Sequence, residues 1–113
     1  MRSERLRTIR PTPVIISGMD VTVRENPDAH RYEALTASGE VAGFVEYVDH
    51  RGTRLLFHTE VGDAFEGQGV GSTLAREVLD HAIAGELAVR VTCPFLKSWI
   101  ERNPEYADRV TVG

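Results

Sequence analysis

The sequence predicts a single α+β domain around a mixed, mostly antiparallel sheet: a four-strand meander, then helix, strand and helix. Three observations carry that expectation. Four short apolar stretches between Val21 and Val61 are joined by turns too brief for crossover connections. Apolar residues then recur at helical spacing from Val70 to Ala82, and a further strand and helix follow Gly85. With 113 residues, 42% hydrophobic and 27% charged, the chain has room for one domain and is not disordered as a whole.

The elements follow in order. Residues 1–19 carry Arg2, Arg5, Arg7 and Arg10 against Glu4, with Pro11, Pro13 and Gly18, and read as a flexible arginine-rich arm before a domain at 20–113. Val21 to Arg24 alternates apolar with polar and runs into the turn Asn26-Pro27-Asp28. His30 to Ala37 forms a second strand closed by Ser38-Gly39, and Val41 to Val48 forms the third. After His50-Arg51-Gly52, Arg54 to Val61 is the fourth. Simple alternation puts Leu55, Phe57, Thr59 and Val61 on one of its faces and Leu56, His58 and Glu60 on the other. Val70, Leu74, Ala75, Val78, Leu79 and Ala82 make one stripe of a helix that Gly85 stops. Leu87 to Thr92 returns as a strand, so a right-handed parallel crossover is expected. Pro94 opens a second helix with Phe95, Leu96, Trp99 and Ile100 as its buried stripe. Asn103-Pro104 ends it, and Arg109 to Val112 adds a short edge strand.

Composition narrows the function classes. No apolar run approaches the ~18 residues of a membrane span, and the start lacks the apolar stretch of a secretory signal. A lone cysteine, Cys93, forms no internal disulfide, which suits a reducing, cytoplasmic setting. The net charge is −4, and from Val21 onward nine basic residues face fifteen acidic ones, a net of −6. Such a body is a poor nucleic-acid binder, though a cationic partner would be drawn to it. No metal is expected.

Phe65-Glu66-Gly67-Gln68-Gly69-Val70-Gly71-Ser72 is the informative stretch, a glycine-rich turn between a strand and a helix. Glycines allow close backbone approach, and a helix start presents free N–H groups, which together suit a phosphate or pyrophosphate. A tight turn needing small residues is the plainer explanation. The Gly-Lys-Ser/Thr ending of a nucleoside-triphosphate loop is missing. A dinucleotide fingerprint fails too, because Ser72 stands at its third small position and Val91, Thr92 and Cys93 stand where an acidic residue belongs.

Strand, Glu66-Gly67-Gln68-Gly69-Val70-Gly71 and helix resemble the acetyl-CoA signature of the GNAT superfamily of N-acetyltransferases, Q/R-x-x-G-x-G/A. The pattern is most similar to the small YjdJ-type group, which shares the Phe65-Glu66-Gly67-x-Gly69-x-Gly71 run and the Cys93-Pro94-Phe95 and Asn103-Pro104-Glu105-Tyr106 steps. The resemblance spans Val21 to Tyr106 and departs at Glu66, where larger relatives carry Gln or Arg. The two helices that those relatives place after the first strand are also absent, which implies an open acceptor groove.

The resemblance implies acetyl-CoA as cofactor and an amine as acceptor: a protein lysine, an N-terminus, a basic peptide or a small amine. Its pantetheine arm would lie in a split between the fourth and fifth strands, on backbone groups from Thr59 to Val61. Gly67, Gln68, Gly69, Val70, Gly71 and Ser72 would cradle the phosphates, with Lys97 in reach. Glu60 is the candidate base and His58 a relay on the same face; each is also an ordinary strand residue. Cys93, before a helix start, is positioned to meet the thioester or simply to pack. Tyr106 and Trp99 read better as core. Beside the acetyltransferase stand two other readings, a CoA-binding module without catalysis and an interaction domain whose loop binds nothing.

Overall fold

The first strand of the computed structural model, which describes residues 21–113, is β1 (Thr22–Asn26); the arm expected at 1–19 lies outside those residues. A single 3-10 turn, Pro27–Ala29, leads from β1 into β2 (Arg31–Leu35). Next come β3 (Val41–His50), β4 (Thr53–Val61), a 3-10 turn at Asp63–Phe65, and α1 (Val70–Ala84). The chain finishes with β5 (Ala88–Val91), α2 (Pro94–Arg102), a 3-10 turn at Pro104–Tyr106, and β6 (Thr111–Val112). Strand β2 stops two residues earlier than the alternation suggests. Thr36 bends the chain by accepting the Glu40 N–H on its own hydroxyl at 3.1 Å.

The six strands lie side by side in sequence order, antiparallel from β1 to β4 and parallel from β4 to β6. Two successive parallel crossovers advance across the sheet in the same direction, and α1 and α2 meet, with Trp99 Nε1–H of α2 donated to Ser72 of α1. Helix α1 buries Val70, Leu74, Ala75, Val78, Leu79 and Ala82 against Tyr32, Val45, Leu56 and Val91. Each such leucine or valine stabilises the fold by roughly 1.5–3 kcal/mol. Helix α2 adds Leu96, Trp99 and Ile100. Phe95, expected in that stripe, is 37% exposed and lies on the start of α1 instead. Tyr106 packs on Trp99 and donates its hydroxyl to Asp80 at 2.8 Å; burial and that hydrogen bond push its pKa up to about 12.

Two one-residue bulges re-aim the central strands. In β4 the partners step from Glu46–His58 to Tyr47–Leu56, leaving Phe57 as an extra residue; in β3 Ala42 is skipped in the same way. The bulge corrects the faces drawn from simple alternation. Leu56 shares the helix-covered face with Thr59 and Val61, while His58 and Glu60 point to the opposite face with Leu55. Among the described residues no helix packs on that opposite face.

A polar clamp locks the far end of the sheet. Arg54 donates Nε and Nη2 to the Asp49 carboxylate at 2.7 and 2.8 Å and Nη1 to the Tyr32 hydroxyl at 2.8 Å. Its guanidinium lies 3.9 Å from the Tyr47 ring centre, and Tyr47 donates to Glu25. The Arg54 hydrogen bonds hold the Asp49 carboxyl below its ordinary range, whereas burial pushes the Tyr47 hydroxyl upward.

Candidate active site

Strands β4 and β5 pair only through Thr53–Leu56 and Ala88–Val91. Their last shared contacts are the Thr92 and Cys93 N–H groups, both donated to the Leu56 carbonyl at 3.1 and 3.3 Å. Beyond the Phe57 bulge β4 follows β3 alone, with Thr59 opposite Val45, Glu60 opposite Phe44 and Val61 opposite Gly43. Chain direction turns Cys93 away into α2 at the same point. The sheet therefore splits, and among the described residues no strand pairs with the β4 edge of Thr59–Val61 that faces β5.

The glycine turn closes over the mouth of this split. Gly67 and Gly69 have φ of 80° and 83°, a left-handed backbone that other residues adopt at a cost of roughly 1–2 kcal/mol. Gly69 is the N-cap of α1 and contributes no side-chain cap; the first backbone bond of the helix runs from Thr73 N–H to the Gly69 carbonyl at 3.1 Å. The N–H groups of Val70, Gly71 and Ser72 thus have no acceptor within the helix, and the positive end of its dipole sits with them. That is a place for an anion.

A groove of about 310 Å³ joins the two features. Thr59 and Val61 form its β4 wall, Gly67, Gly69, Val70 and Gly71 its glycine side, and Phe65 and Phe95 its aromatic sides. The Phe95 ring lies so close over Gly71 that a Cβ there would come within 2.8 Å of Cζ. Of the expected cofactor residues, Thr59, Val61, Gly67, Gly69, Val70 and Gly71 thus come together. Gln68 is turned aside and donates Nε2 to the Ala64 carbonyl at 3.2 Å. Ser72 uses its hydroxyl to accept Trp99 Nε1–H at 3.2 Å, and Lys97 is half-buried on α2 outside the groove lining. Glu66 lines the groove and is exposed. The aromatic walls are present in the sequence as the Phe65 and Phe95 motif steps, but nothing in the pattern shows that they line one groove.

The catalytic candidates divide between the two faces. Cys93 is 2% exposed at the N-cap of α2, and its Sγ lies 3.1 Å from Thr59 Oγ1 at the inner end of the split. His58 and Glu60 sit on the open face with Nε2 and Oε2 3.9 Å apart, their side chains 47% and 60% exposed. Phe44 stands directly opposite Glu60 and its ring centre is 6.2 Å from that of His58. One strand, β4, therefore offers a thiol contact on one face and a carboxylate on the other.

A split parallel pair with a glycine-rich helix start at its mouth gives this α+β sheet a groove that runs from a helix N-terminus into the split. Residues 31–109 match the model of the GCN5-related N-acetyl-transferase family, and the chain belongs to that family. It is 36% identical to the human Protein NATD1 over 67 residues, 58% of each chain. With the Protein NATD1 of Xenopus tropicalis it shares 36% identity over 58% of this chain and 61% of the relative. The chain thus matches about 60% of the length of these curated relatives. Among solved structures, a GCN5-like putative N-acetyltransferase from Staphylococcus aureus has the same fold, with a TM-score of 0.60 at 22% identity over 81% of this chain and 89% of that one. No helix among the described residues is long and apolar enough to cross a membrane.

Proposed function

We propose that this protein transfers an acetyl group from acetyl-CoA to an amine. The observation that carries the reading is the uncapped, glycine-flanked N-terminus of α1 opening onto the split between β4 and β5. The residues present fit the group. The free N–H groups of Val70, Gly71 and Ser72 suit its pyrophosphate, and the partly apolar groove past Phe65, Phe95 and Val61 suits the pantetheine arm. Backbone recognition needs no side chain at Glu66, so an acidic residue there is compatible with binding. When bound, acetyl-CoA supplies an acetyl thioester whose C–S bond breaks as the C–N bond to the amine forms, leaving free CoA thiol and the amide.

The protein's own residues supply alignment and proton handling. The β4 edge at Thr59–Val61, which no described strand pairs, directs backbone groups into the split, where a carbonyl oxygen can be polarised. Cys93 and Thr59 form the inner wall through their shared hydrogen bond. Glu60, assisted by His58, takes the proton that the attacking amine gives up; a lysine-like amine with pKa ~10.4 is otherwise protonated at neutral pH. The net charge of −4 draws cationic amines, a basic protein or peptide among them. The small YjdJ-type pattern of the glycine run agrees with a minimal version of the enzyme, acting in the cytoplasm.

A non-catalytic CoA-binding module is the alternative, favoured by the separation of Cys93 from His58 and Glu60 onto opposite faces. A thermal-shift titration of the full chain with acetyl-CoA, CoA and NAD decides the cofactor. Acetyl-CoA at about a hundred times its Kd should stabilise the fold by about 2.7 kcal/mol, while NAD should not. Gly69→Asp should abolish the shift by adding a carboxylate among the N–H groups, and unchanged affinity would refute the site. Thiol release on adding an amine then separates the enzyme from the module.

A further inference from the structure

A groove of about 330 Å³ lies on the open face of the sheet. It backs directly onto the acyl groove, because Val61 lines both. Its other walls are Phe44, Glu60, Asp63 and Arg31. Strand register explains the arrangement. Arg24, Glu33, Phe44 and Glu60 form one straight row across β1 to β4, and Asn26, Arg31, Glu46 and His58 form the next.

Charge is sorted along these rows. At the β1–β2 side Arg24 and Arg31 surround the single carboxylate of Glu33, which is 8% exposed and takes Arg31 Nε at 2.7 Å and Asn26 Nδ2 at 3.2 Å. Burial pushes the Glu33 carboxyl up, but those hydrogen bonds outweigh it and leave it below the ordinary carboxylate range. Arg31 pairs with Glu33 through Nε, its guanidinium lies 4.4 Å from the Phe44 ring centre, and the residue is part of the groove lining. At the β4 side stand Glu60 and the exposed Asp63. The groove therefore has one cationic group, Arg31, on its β2 side, two carboxylates, Glu60 and Asp63, on its β4 side, and the Phe44 ring between them; Glu46, beside Arg31 in the second row, is not part of the lining.

We infer that this groove is the acceptor site and that it takes a small zwitterionic amine of the amino-acid class, its amine at Glu60 and its carboxylate on Arg31. The inference rests on the acetyl-transfer reading above and narrows it. Net charge alone draws cations from a distance, yet screening over ~8 Å at physiological salt leaves the choice at contact to the local groups. Arg31 in the wall disfavours a polyamine or a run of lysines and rewards a carboxylate, with the planar guanidinium suited to two parallel hydrogen bonds.

The test compares acceptors in pairs that differ only by the carboxylate: leucine against isoamylamine and phenylalanine against phenethylamine, beside spermidine and a lysine-rich peptide. CoA release from acetyl-CoA is followed, and acetyl-CoA binding is measured separately by calorimetry. The expected result is a kcat/KM at least tenfold higher for the amino acid of each pair. Arg31→Met made together with Glu33→Gln, so that no buried carboxylate is stranded, should bring the preference within about twofold, and Arg31→Lys should keep part of it. The melting temperature of each variant checks its fold. Equal or better turnover of the decarboxylated amines, spermidine or the peptide overturns the proposal, as does binding of acetyl-CoA with no turnover of any amino acid. Failure of acetyl-CoA to bind overturns instead the reading beneath it.

Discussion

Gly43 is where the packing of the site is most exposed to test. It lies in β3 opposite Val61, under the first turns of α1. A Cβ built there would stand 2.8 Å from the Glu60 carbonyl oxygen, 3.1 Å from Leu74 Cδ1 and 3.3 Å from Val61 Cα. Two of those neighbours are backbone atoms of the adjacent strand, so relief requires β3 and β4 to move apart. Forcing a methyl into such a site costs roughly 1–3 kcal/mol. Against that, replacing a strand glycine by alanine returns roughly 0.5–1 kcal/mol of backbone entropy. Gly43→Ala should therefore destabilise by about 1–2 kcal/mol, a fall in Tm of roughly 5–15 °C for a domain of this size. Thermal and urea unfolding followed by circular dichroism measure it, with an unchanged m-value showing that the loss is of stability alone. The same shift would displace Val61, which walls both grooves, so acetyl-CoA affinity should drop as well. A variant as stable as the parent would refute the Gly43–Val61 register and, with it, the position assigned to the split. Gly71→Ala is the control. Its Cβ meets only the tip of the half-exposed Phe95 ring, which can swing, and alanine is roughly 1 kcal/mol better than glycine in a helix; its Tm should hold or rise.

Three further outcomes are expected. Tyr106→Phe removes the hydrogen bond to Asp80 but keeps the ring on Trp99, so it should cost about 1 kcal/mol in urea unfolding and leave acetyl-CoA affinity unchanged. Glu33 and Asp49 have carboxyls held below their ordinary values of 4.5 and 3.8, so the stability they contribute is full above about pH 5 and is lost as pH falls through the folded values; urea midpoints measured from about pH 6 to pH 2 should decline, and decline less in a Glu33→Gln, Asp49→Asn double variant. Cys93→Ala breaks the contact with Thr59, and turnover should fall by no more than about tenfold, or 1.4 kcal/mol in barrier; abolished turnover with acetyl-CoA affinity intact would make the thiol an acyl carrier.

The elements were legible because each carries a strong local signal. The Val70-to-Ala82 stripe, Gly85 after it and Pro94 at the next helix start declare their roles without tertiary context, and α1 and α2 begin where they should. The glycine run was legible for the same reason, since a left-handed Gly67 and Gly69 are requirements of the backbone itself. What the sequence hid was set by pairing. Phe57 looks like one more residue of an alternating strand, and only its partner strand reveals that it is surplus. The two-row sorting of charge on the open face is likewise a matter of register across four strands, since Arg24 and Glu60 are 36 residues apart in the chain. Gln68 and Ser72 lie in the glycine turn and Lys97 one turn into α2, but the hydrogen bonds of the first two and the burial of the third depend on tertiary contacts that spacing does not encode.

That surplus residue is also what makes the site possible. Without it, β4 would keep one alternation throughout, and the face that buries Leu56 against α1 would carry His58 and Glu60 rather than Thr59 and Val61. One imidazole and one carboxylate would then be pressed toward the helices, where burying an unpaired charge costs several kcal/mol. The bulge instead lets the first half of β4 serve the core and the second half serve chemistry. Leu56 closes the ladder with β5, the next residues leave it, and the strand emerges with small and apolar groups toward the acyl groove and a carboxylate toward the open face. An acetyl donor and an amine must approach one carbon atom from different directions. A strand that presents different chemistry on its two faces, at the one place where the sheet is split, meets that requirement within a described domain of fewer than a hundred residues.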